Sequence, residues 1–181
     1  MIDPLLRALA PLAPAVHDMQ GVAALVRAIS PLVGGLRVRD GDLPWGRYLL
    51  HLAPDASWNL QLDVFSEGYE GGVHAHGTWG AFWVLRGALW TEQLTMGPNG
   101  ARLSGAGFVT PGGCGAFCPP ESDWHRVGSP AQGEQTVSLH LYGRGFDLDV
   151  GEGIGPDGLP RRYARSPWGE PSRVLGAVVA R

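Results

Sequence analysis

The sequence predicts a mainly β protein, a sandwich or barrel of short antiparallel strands preceded by helices. Strand-like runs recur at short spacing between residues 47 and 142, and glycine and proline turns separate them. Glycine (28) and proline (15) are abundant, while only 17% of residues are charged, below the roughly 25% typical of soluble domains. At 181 residues, the chain is expected to form one domain, 1–181, with a proper core.

Residues 1–34 are expected to form helices. Leucine, alanine, valine and isoleucine recur there at intervals of three and four, and Pro11, Pro14 and Pro31 interrupt them. This pattern predicts two or three short helices. We see no chemistry in the segment, so we expect it to cover one face of a sheet. His17 lies within it and is expected to be structural or exposed.

The strand pattern begins near Arg47 and is clearest from Trp58 to Phe65, where apolar and polar residues alternate. Residues 45–150 are therefore expected to form the β-barrel core. The glycine- and proline-rich residues 151–181 are expected to pack as an irregular C-terminal arm. Further strand-like runs are 81–85, 88–95, 116–118, 125–127 and 136–142, with turn signals at Gly87, Pro98-Asn99-Gly100 and Gly112-Gly113.

Charge and cysteine content point to small-molecule partners. A net charge of −3 and an isoelectric point near 6.0 provide no basic surface for nucleic acid or an anionic membrane. No apolar stretch approaches the length that spans a bilayer, and no signal-peptide pattern follows Met1. Cys114 and Cys118 lack a secretory context, so we expect two free thiols in a cytoplasmic protein. The oligomeric state stays open.

Three histidines predict a metal site. His74 and His76 are two residues apart, so in a strand their imidazoles point to the same face. His125 is the third candidate, because it begins a strand-like run directly after a turn at Pro119 and Pro120. Neutral imidazole suits iron, copper, nickel or zinc, so these residues alone leave the metal open.

A second set of polar residues shares one face of a strand. Ser138, His140 and Tyr142 lie at i, i+2 and i+4. We expect a hydrogen-bonded row in which His140 orients the Tyr142 hydroxyl. The alternative is a sandwich strand with ordinary inward polar residues. His51 is expected to be structural or exposed, and Trp79 and Trp83 to wall the pocket or the core.

The order of these residues resembles a known superfamily. Gly68-x5-His74-x-His76, then Gly87, then Pro120 before His125 resembles the two motifs of the cupins. The resemblance implies the double-stranded β-helix, or jelly-roll, fold, with the N-terminal helices packed on the barrel. The first motif usually continues to a glutamate. Gly80 and Ala81 stand at those positions, so that carboxylate ligand is missing and a neutral three-histidine face is expected.

One cupin branch matches more of the chain. Residues 74–80, 125–127 and 138–142 resemble the thiol dioxygenases, typified by cysteine dioxygenase, and the similarity covers about residues 45–150. Ser122 and Ser129 stand where the second cupin motif usually has glycine and asparagine, and two further positions differ from the family. Ala75 replaces an aspartate often found between the first two ligands. The cysteine that animal members crosslink to the active-site tyrosine is absent near Gly80, so the chain resembles the bacterial type.

This resemblance implies an Fe(II) site held by His74, His76 and His125, with the Ser138-His140-Tyr142 row in its outer sphere. Arg47 lies in a stretch that resembles the family segment whose arginine binds the cysteine carboxylate, or whose glutamine replaces it in 3-mercaptopropionate dioxygenases. A bidentate arginine–carboxylate contact is physically apt. The alternative for Arg47 is a surface arginine near the start of a strand.

The implied activity is Fe(II)-dependent addition of both atoms of O2 to the sulfur of a small thiol carboxylate, which gives a sulfinate. L-cysteine is the first candidate substrate because of Arg47, and 3-mercaptopropionate or mercaptosuccinate is the second. A different class remains open, a cupin that binds a ligand or isomerises a sugar with a metal but without redox chemistry. A third possibility, a purely structural jelly roll, would require the pattern of His74, His76 and His125 to have arisen by chance.

Overall fold

The computed structural model describes residues 2–97, 100–120, 122–130, 132–156 and 158–180. Two helices come first, α1 (Asp3–Leu12) and α2 (Met19–Gly34), with a 3-10 turn at Ala13–Ala15 between them. Asp18 caps α2, since its carboxylate accepts the backbone N–H of Gly21 at 2.7 Å. The predicted N-terminal helices are thus confirmed, but Pro11 and Pro31 lie inside α1 and α2 and do not interrupt them.

Strands occupy most of the remaining described residues, and a short helix, α3 (Ser172–Leu175), precedes the last of them. The strands are β1 (Leu36–Val38), β2 (Gly46–Leu52), β3 (Trp58–Phe65), β4 (His74–Ala75), β5 (Gly80–Arg86), β6 (Leu89–Gly97), β7 (Gly100–Val109), β8 (Cys114–Phe117), β9 (His125–Gly128), β10 (Thr136–Gly143), β11 (Val150–Ile154), β12 (Pro160–Ala164) and β13 (Val178–Ala180). The predicted turn between β6 and β7 includes Pro98 and Asn99, which lie outside the described residues.

Two antiparallel sheets form the body of the protein. One has the order β2-β3-β10-β5-β8 and the other β12-β11-β4-β9-β6-β7. The eight strands from β3 to β10 divide between the sheets as 3-10-5-8 and 4-9-6-7, which is the strand order of a jelly roll. The predicted mainly β fold, a double-stranded β-helix with N-terminal helices packed on it, is confirmed.

The helices cover the outer face of the five-stranded sheet. Leu9 and Ile29 from α1 and α2 belong to the same buried apolar cluster as Leu60, Leu62 and Leu139 from β3 and β10. Trp83 joins this cluster, and its indole N–H donates to the hydroxyl of Ser30 on α2 at 2.9 Å. The large apolar core of the protein therefore lies outside the barrel, between sheet and helices.

The inner face of the same sheet is polar. Alternation along β3 places Asn59, Gln61 and Asp63 opposite Tyr142, His140 and Ser138 of β10. A cavity of about 540 Å³ lies inside the barrel, with walls from both sheets. Strand alternation therefore separates an apolar core on one side from a polar cavity on the other.

The C-terminal segment differs from its prediction. Residues 151–181 were expected to be irregular, but β11 and β12 extend the six-stranded sheet, and β13 pairs with β1. Backbone pairing at the free edge of β4 orders β11 despite its glycines, since Glu152 lies opposite Ala75. The exposed strand β7 was not predicted either, because its small and polar residues show no apolar alternation. The extent of the single domain remains a prediction.

Candidate metal centre and active site

The structure brings His74, His76 and His125 together. His74 and His125 are directly opposite each other on β4 and β9, and His76 follows the end of β4. One nitrogen from each of the three rings lies within 4.8 Å of the others, and the ring centroids are 4.6 to 4.9 Å apart. The three imidazoles are thus close enough together to bind one metal ion. The pairing of β4 with β9 explains how histidines some fifty residues apart converge.

The cluster is electrostatically prepared for a metal. Burial lowers the pKa of His74, and it lowers the pKa values of His76 and His125 well below the usual histidine range. The neighbouring imidazoles lower the pKa values of His76 and His125 further. All three rings are therefore neutral near pH 7, which is the form that binds a divalent transition metal. Nδ1 of His74 lies 2.9 Å from the carbonyl oxygen of Gly72, an arrangement that orients its other nitrogen.

Asp123 anchors this cluster, and the sequence analysis did not identify it. Its Oδ1 accepts the backbone N–H of His76 at 2.9 Å, and its Oδ2 accepts that of Gly77 at 2.8 Å. Nδ1 of His76 lies 3.4 Å from Oδ1 but makes no hydrogen bond within the described chain. A buried carboxylate thus connects the loop before His125 to the His74–His76 motif. Its position two residues before His125 was the feature of the sequence that could have identified it.

The Phe117 ring fills the space in front of Gly80. Gly80, at one of the two positions where the cupin motif would carry glutamate, faces the cavity opposite Tyr142. A Cβ atom there would lie 2.3 Å from Cζ of Phe117. The Phe117 ring stacks on His76 with centroids 4.7 Å apart. The centre therefore offers three imidazoles and an aromatic wall.

The predicted hydrogen-bonded row is present on β10. Ser138 Oγ lies 2.8 Å from His140 Nε2, and Tyr142 Oη lies 3.2 Å from His140 Nδ1. The Tyr142 ring stacks on His76 at 4.8 Å. Burial raises the pKa of Tyr142 and lowers that of His140. Near neutral pH the row therefore carries a protonated hydroxyl beside the three histidines, held by a neutral imidazole.

Arg47 lines the same cavity as the histidines. Its NH2 group donates to the carbonyl oxygen of Leu148 at 2.7 Å, and its guanidinium carbon lies 3.7 Å from the Trp168 ring centroid. It is therefore a fixed, half-buried arginine of the cavity wall. It lies near the start of β2, as expected, and Trp168 of the C-terminal segment packs against it.

Further charged residues that the sequence analysis did not assign to the site line the cavity, among them Asp63 and Arg165. Oδ2 of Asp63, on β3, lies 3.6 Å from Nε2 of His140. The guanidinium of Arg165 lies 4.5 Å from the Phe146 ring centroid, over a ring that stacks on Tyr142 at 4.1 Å. Asp63 is one of several polar residues that alternate along β3, so no pattern singled it out. Arg165 lies in the C-terminal arm that was expected to be irregular.

Other predictions concern residues outside the cavity. Trp79 and Trp83 pack in the core and do not wall the pocket, since the outer face of the sheet turns toward the helices. His17 is exposed, and His51 packs against Trp58 with centroids 4.7 Å apart. Cys114 and Cys118 carry thiols that are not joined in a disulfide, as predicted, with Cys114 exposed and Cys118 buried. Across the described residues, no helix has the length and apolarity to cross a membrane.

No protein-family model matches the chain. Three solved structures are similar in fold. An acetylacetone dioxygenase from Acinetobacter johnsonii is 17% identical with a TM-score of 0.45, covering 77% of this chain and 78% of that one. A cupin-2 domain from Rhodospirillum rubrum is 15% identical with a TM-score of 0.46, covering 68% and 76%.

The third is the cupin domain of Schizosaccharomyces pombe Cnp3, 11% identical with a TM-score of 0.44. The match covers 58% of this chain, and this chain spans only 65% of that domain. At these identities the likeness concerns the fold.

Proposed function

We propose that this protein is an Fe(II)-dependent thiol dioxygenase that converts a small thiol carboxylate, with L-cysteine as first candidate, to a sulfinate. The observation that carries the proposal is the position of Tyr142. Its hydroxyl is held by His140, its ring stacks on His76, and both lie in the cavity that contains Arg47. An oriented hydroxyl, a guanidinium and three histidines therefore line one cavity, which supports the proposal.

The donor set fits ferrous iron. His74, His76 and His125 are neutral, and Gly80 and Phe117 leave no carboxylate at the usual fourth position. Three imidazoles on one side leave further coordination positions for substrate, as in other non-haem iron sites with a facial set of ligands. When bound, iron would supply coordination and activation of thiolate sulfur and dioxygen.

The residues of the chain have separate tasks. Arg47 binds the substrate carboxylate and thereby positions the sulfur near the histidines. Tyr142, protonated because burial raises its pKa, donates a hydrogen bond toward the reacting groups, while His140 and Ser138 hold the direction of that hydroxyl. Phe117 and Phe146 exclude water from this side of the cavity.

The reaction balances without an external reductant. A thiol and one O2 give a sulfinate and a proton, so both oxygen atoms form bonds to sulfur, and sulfur supplies the electrons. The carboxylate and carbon skeleton of the substrate are unchanged. The cavity therefore has only to orient one thiol, admit O2 and accept one proton.

An oxygen-electrode assay on anaerobically iron-loaded protein tests the proposal. L-cysteine, 3-mercaptopropionate, mercaptosuccinate and cysteamine form the panel, and mass spectrometry identifies the product. We expect oxygen uptake equal to sulfinate formed, with a gain of two oxygen atoms per thiol. The variant His125→Ala is the matched control, since it should lose iron and activity together. Absence of uptake with every thiol, despite bound iron, would contradict the proposal and favour a cupin without redox chemistry.

A further inference from the structure

Phe146 packs against the ring of Tyr142 in the wall of the cavity. The two rings are stacked, with centroids 4.1 Å apart and planes 22° apart. Phe146 also stacks on His76, with centroids 5.8 Å apart. A strand fixes where the Tyr142 side chain begins, but the direction of its ring depends on the side chains packed around it. Phe146 is therefore in a position to set the direction of the Tyr142 hydroxyl.

Phe146 itself belongs to no helix or strand. It lies in the segment 144–149, which joins β10 to β11, and its backbone N–H donates to the carbonyl oxygen of Gly143 at 3.4 Å. Connecting segments are held less firmly than strands unless side chains fasten them. The stack on Tyr142 therefore depends on what fastens this segment.

The Arg165 side chain connects this segment to the C-terminal arm. Its Nε–H donates to the carbonyl oxygens of Asp147 at 3.0 Å and Val150 at 3.1 Å. Its backbone N–H donates to the carbonyl oxygen of Asp149 at 2.8 Å. The guanidinium carbon lies 4.5 Å from the centroid of the Phe146 ring, and a cation over an aromatic face is attracted by the ring quadrupole. Arg165 thus holds both the backbone on either side of residue 148 and the Phe146 ring.

We propose that Arg165 is a positioning residue, which acts through Phe146 to hold the Tyr142 ring, and with it the hydroxyl held by His140, in one direction within the cavity. The inference rests on the proposed function, in which that hydroxyl donates toward the reacting groups. Arg165 has no contact with the substrate in this role. The C-terminal arm, which carries Arg165, contributes to the candidate site through packing.

Two other roles for Arg165 predict different results. If its positive charge binds an anionic substrate directly, its loss should raise KM for thiols that carry a carboxylate and spare cysteamine, whether or not Tyr142 has its hydroxyl. If it only stabilises the fold, its loss should lower the melting temperature and lower kcat equally with and without that hydroxyl. A positioning role requires that the effect of Arg165 on kcat depends on the Tyr142 hydroxyl.

The first test is a double-mutant cycle in the iron-loaded enzyme with L-cysteine. Arg165→Met keeps the length of the side chain but removes its charge and its donors. We expect kcat to fall on the order of 10-fold with KM nearly unchanged, a factor within the range of coupling between contacting residues. In the Tyr142→Phe background the same substitution should change kcat by less than about twofold. Arg173→Met, at an exposed position of the same arm outside the cavity, is the matched control and should change neither background.

Fluorine NMR of the metal-free protein, labelled with 3-fluorotyrosine, measures the same contact without turnover. The chain has four tyrosines, and the Tyr142 signal is the one missing from Tyr142→Phe. A tightly stacked ring flips slowly and gives separate signals for its two orientations, whereas a loosened ring gives one averaged line. We expect separate signals in the wild type and in Arg173→Met, and one averaged line in Arg165→Met.

Four results would overturn the inference: an unchanged kcat in Arg165→Met, an equal fall in both backgrounds, a rise in KM confined to carboxylate thiols, or the same Tyr142 signals in wild type and variant. If Arg165→Met does not fold, the milder Arg165→Gln is measured in its place. Phe146→Leu should reproduce the averaged line, and Arg165→Gln added to it should have no further effect.

Failure of the proposed function is recognised separately, because the fluorine signals do not depend on oxygen uptake. A loosened Tyr142 ring in Arg165→Met, together with no oxygen uptake by the iron-loaded wild type, would retain the positioning of Tyr142 by Arg165 and remove the thiol dioxygenase activity. Oxygen uptake together with an unaffected ring would do the reverse.

Discussion

The hydroxyl of Tyr142 lies 3.2 Å from Nδ1 of His140, and both side chains come from β10, two residues apart. The Tyr142 ring also stacks on His76 at 4.8 Å. One strand of the five-stranded sheet thereby delivers an oriented hydroxyl to a histidine cluster built by the other sheet. The candidate site lies between the two sheets, and the residues that each sheet contributes can be substituted independently.

Removal of the Tyr142 hydroxyl should affect turnover and not metal binding. In Tyr142→Phe the ring stacking on His76 remains, but the donor held by His140 is lost. We expect kcat with L-cysteine to fall on the order of 10²-fold, the usual size of a single proton-donor contribution. Iron content and melting temperature should equal those of the wild type. A rate within a factor of about two of wild type, well short of that range, would remove Tyr142 from the mechanism.

Iron content should distinguish variants of the three candidate metal ligands from a variant of His140. His74→Ala, His76→Ala and His125→Ala each remove one of three donors and should abolish stoichiometric iron. His140→Ala should retain iron, because His140 bonds Ser138 and Tyr142. His17→Ala, an exposed position, is the control. Elemental analysis after desalting measures this, and iron loss in His140→Ala equal to that in His125→Ala would be inconsistent with the assignment.

Asp123 should affect both metal affinity and stability. Its carboxylate accepts the backbone N–H groups of His76 and Gly77, so Asp123→Ala leaves them without a partner and releases the ligand loop. We expect iron affinity to fall about 10- to 100-fold and the free energy of unfolding to fall by about 1–3 kcal/mol. Competition with a chelator and urea unfolding measure the two quantities. Asp149→Ala, at an exposed carboxylate, should change neither.

Asp63→Asn should stabilise the metal-free protein in a pH-dependent way. Burial raises the pKa of Asp63 in the folded state, so the ionised carboxylate disfavours folding above that raised pKa. The penalty disappears as pH falls through the raised value to the ordinary aspartate range, about pH 4. The melting temperature of Asp63→Asn should therefore exceed that of wild type near neutral pH and approach it in acid.

Circular dichroism melts of the two metal-free proteins across that pH range provide the measurement. Glu67→Gln is the charge-matched control, because Glu67 is exposed and lies outside the cavity, and it should follow wild type at every pH. A destabilised Asp63→Asn at neutral pH would mean that the carboxylate is fully compensated in the fold. Stabilisation together with loss of activity would mark Asp63 as a residue kept for function at a cost in stability.

Several parts of this site were accessible from short-range patterns. His74 and His76 follow from a spacing of two, and Ser138, His140 and Tyr142 from the same spacing repeated. Asp123 and Asp63 were missed for different reasons. Asp123 acts through a contact to backbone N–H groups 46 and 47 residues away, which no local pattern encodes. Asp63 is one of several polar residues in an alternating strand, and alternation alone does not tell whether the polar face lines a cavity or meets solvent.

The sequence by itself predicted the alternating strands such as β3 and β10, the pair His74 and His76, and the polar row on β10, because a period of two is a local property of the chain. It also carried the helical pattern of the first 34 residues. The tertiary structure decided which face of the alternation is inside. Since α1 and α2 cover the apolar face of the sheet, its polar face turns into the barrel, and Arg47, Asp63 and Tyr142 become the wall of one cavity. That outcome depends on which surfaces pack together, and packing between distant segments is not a local property.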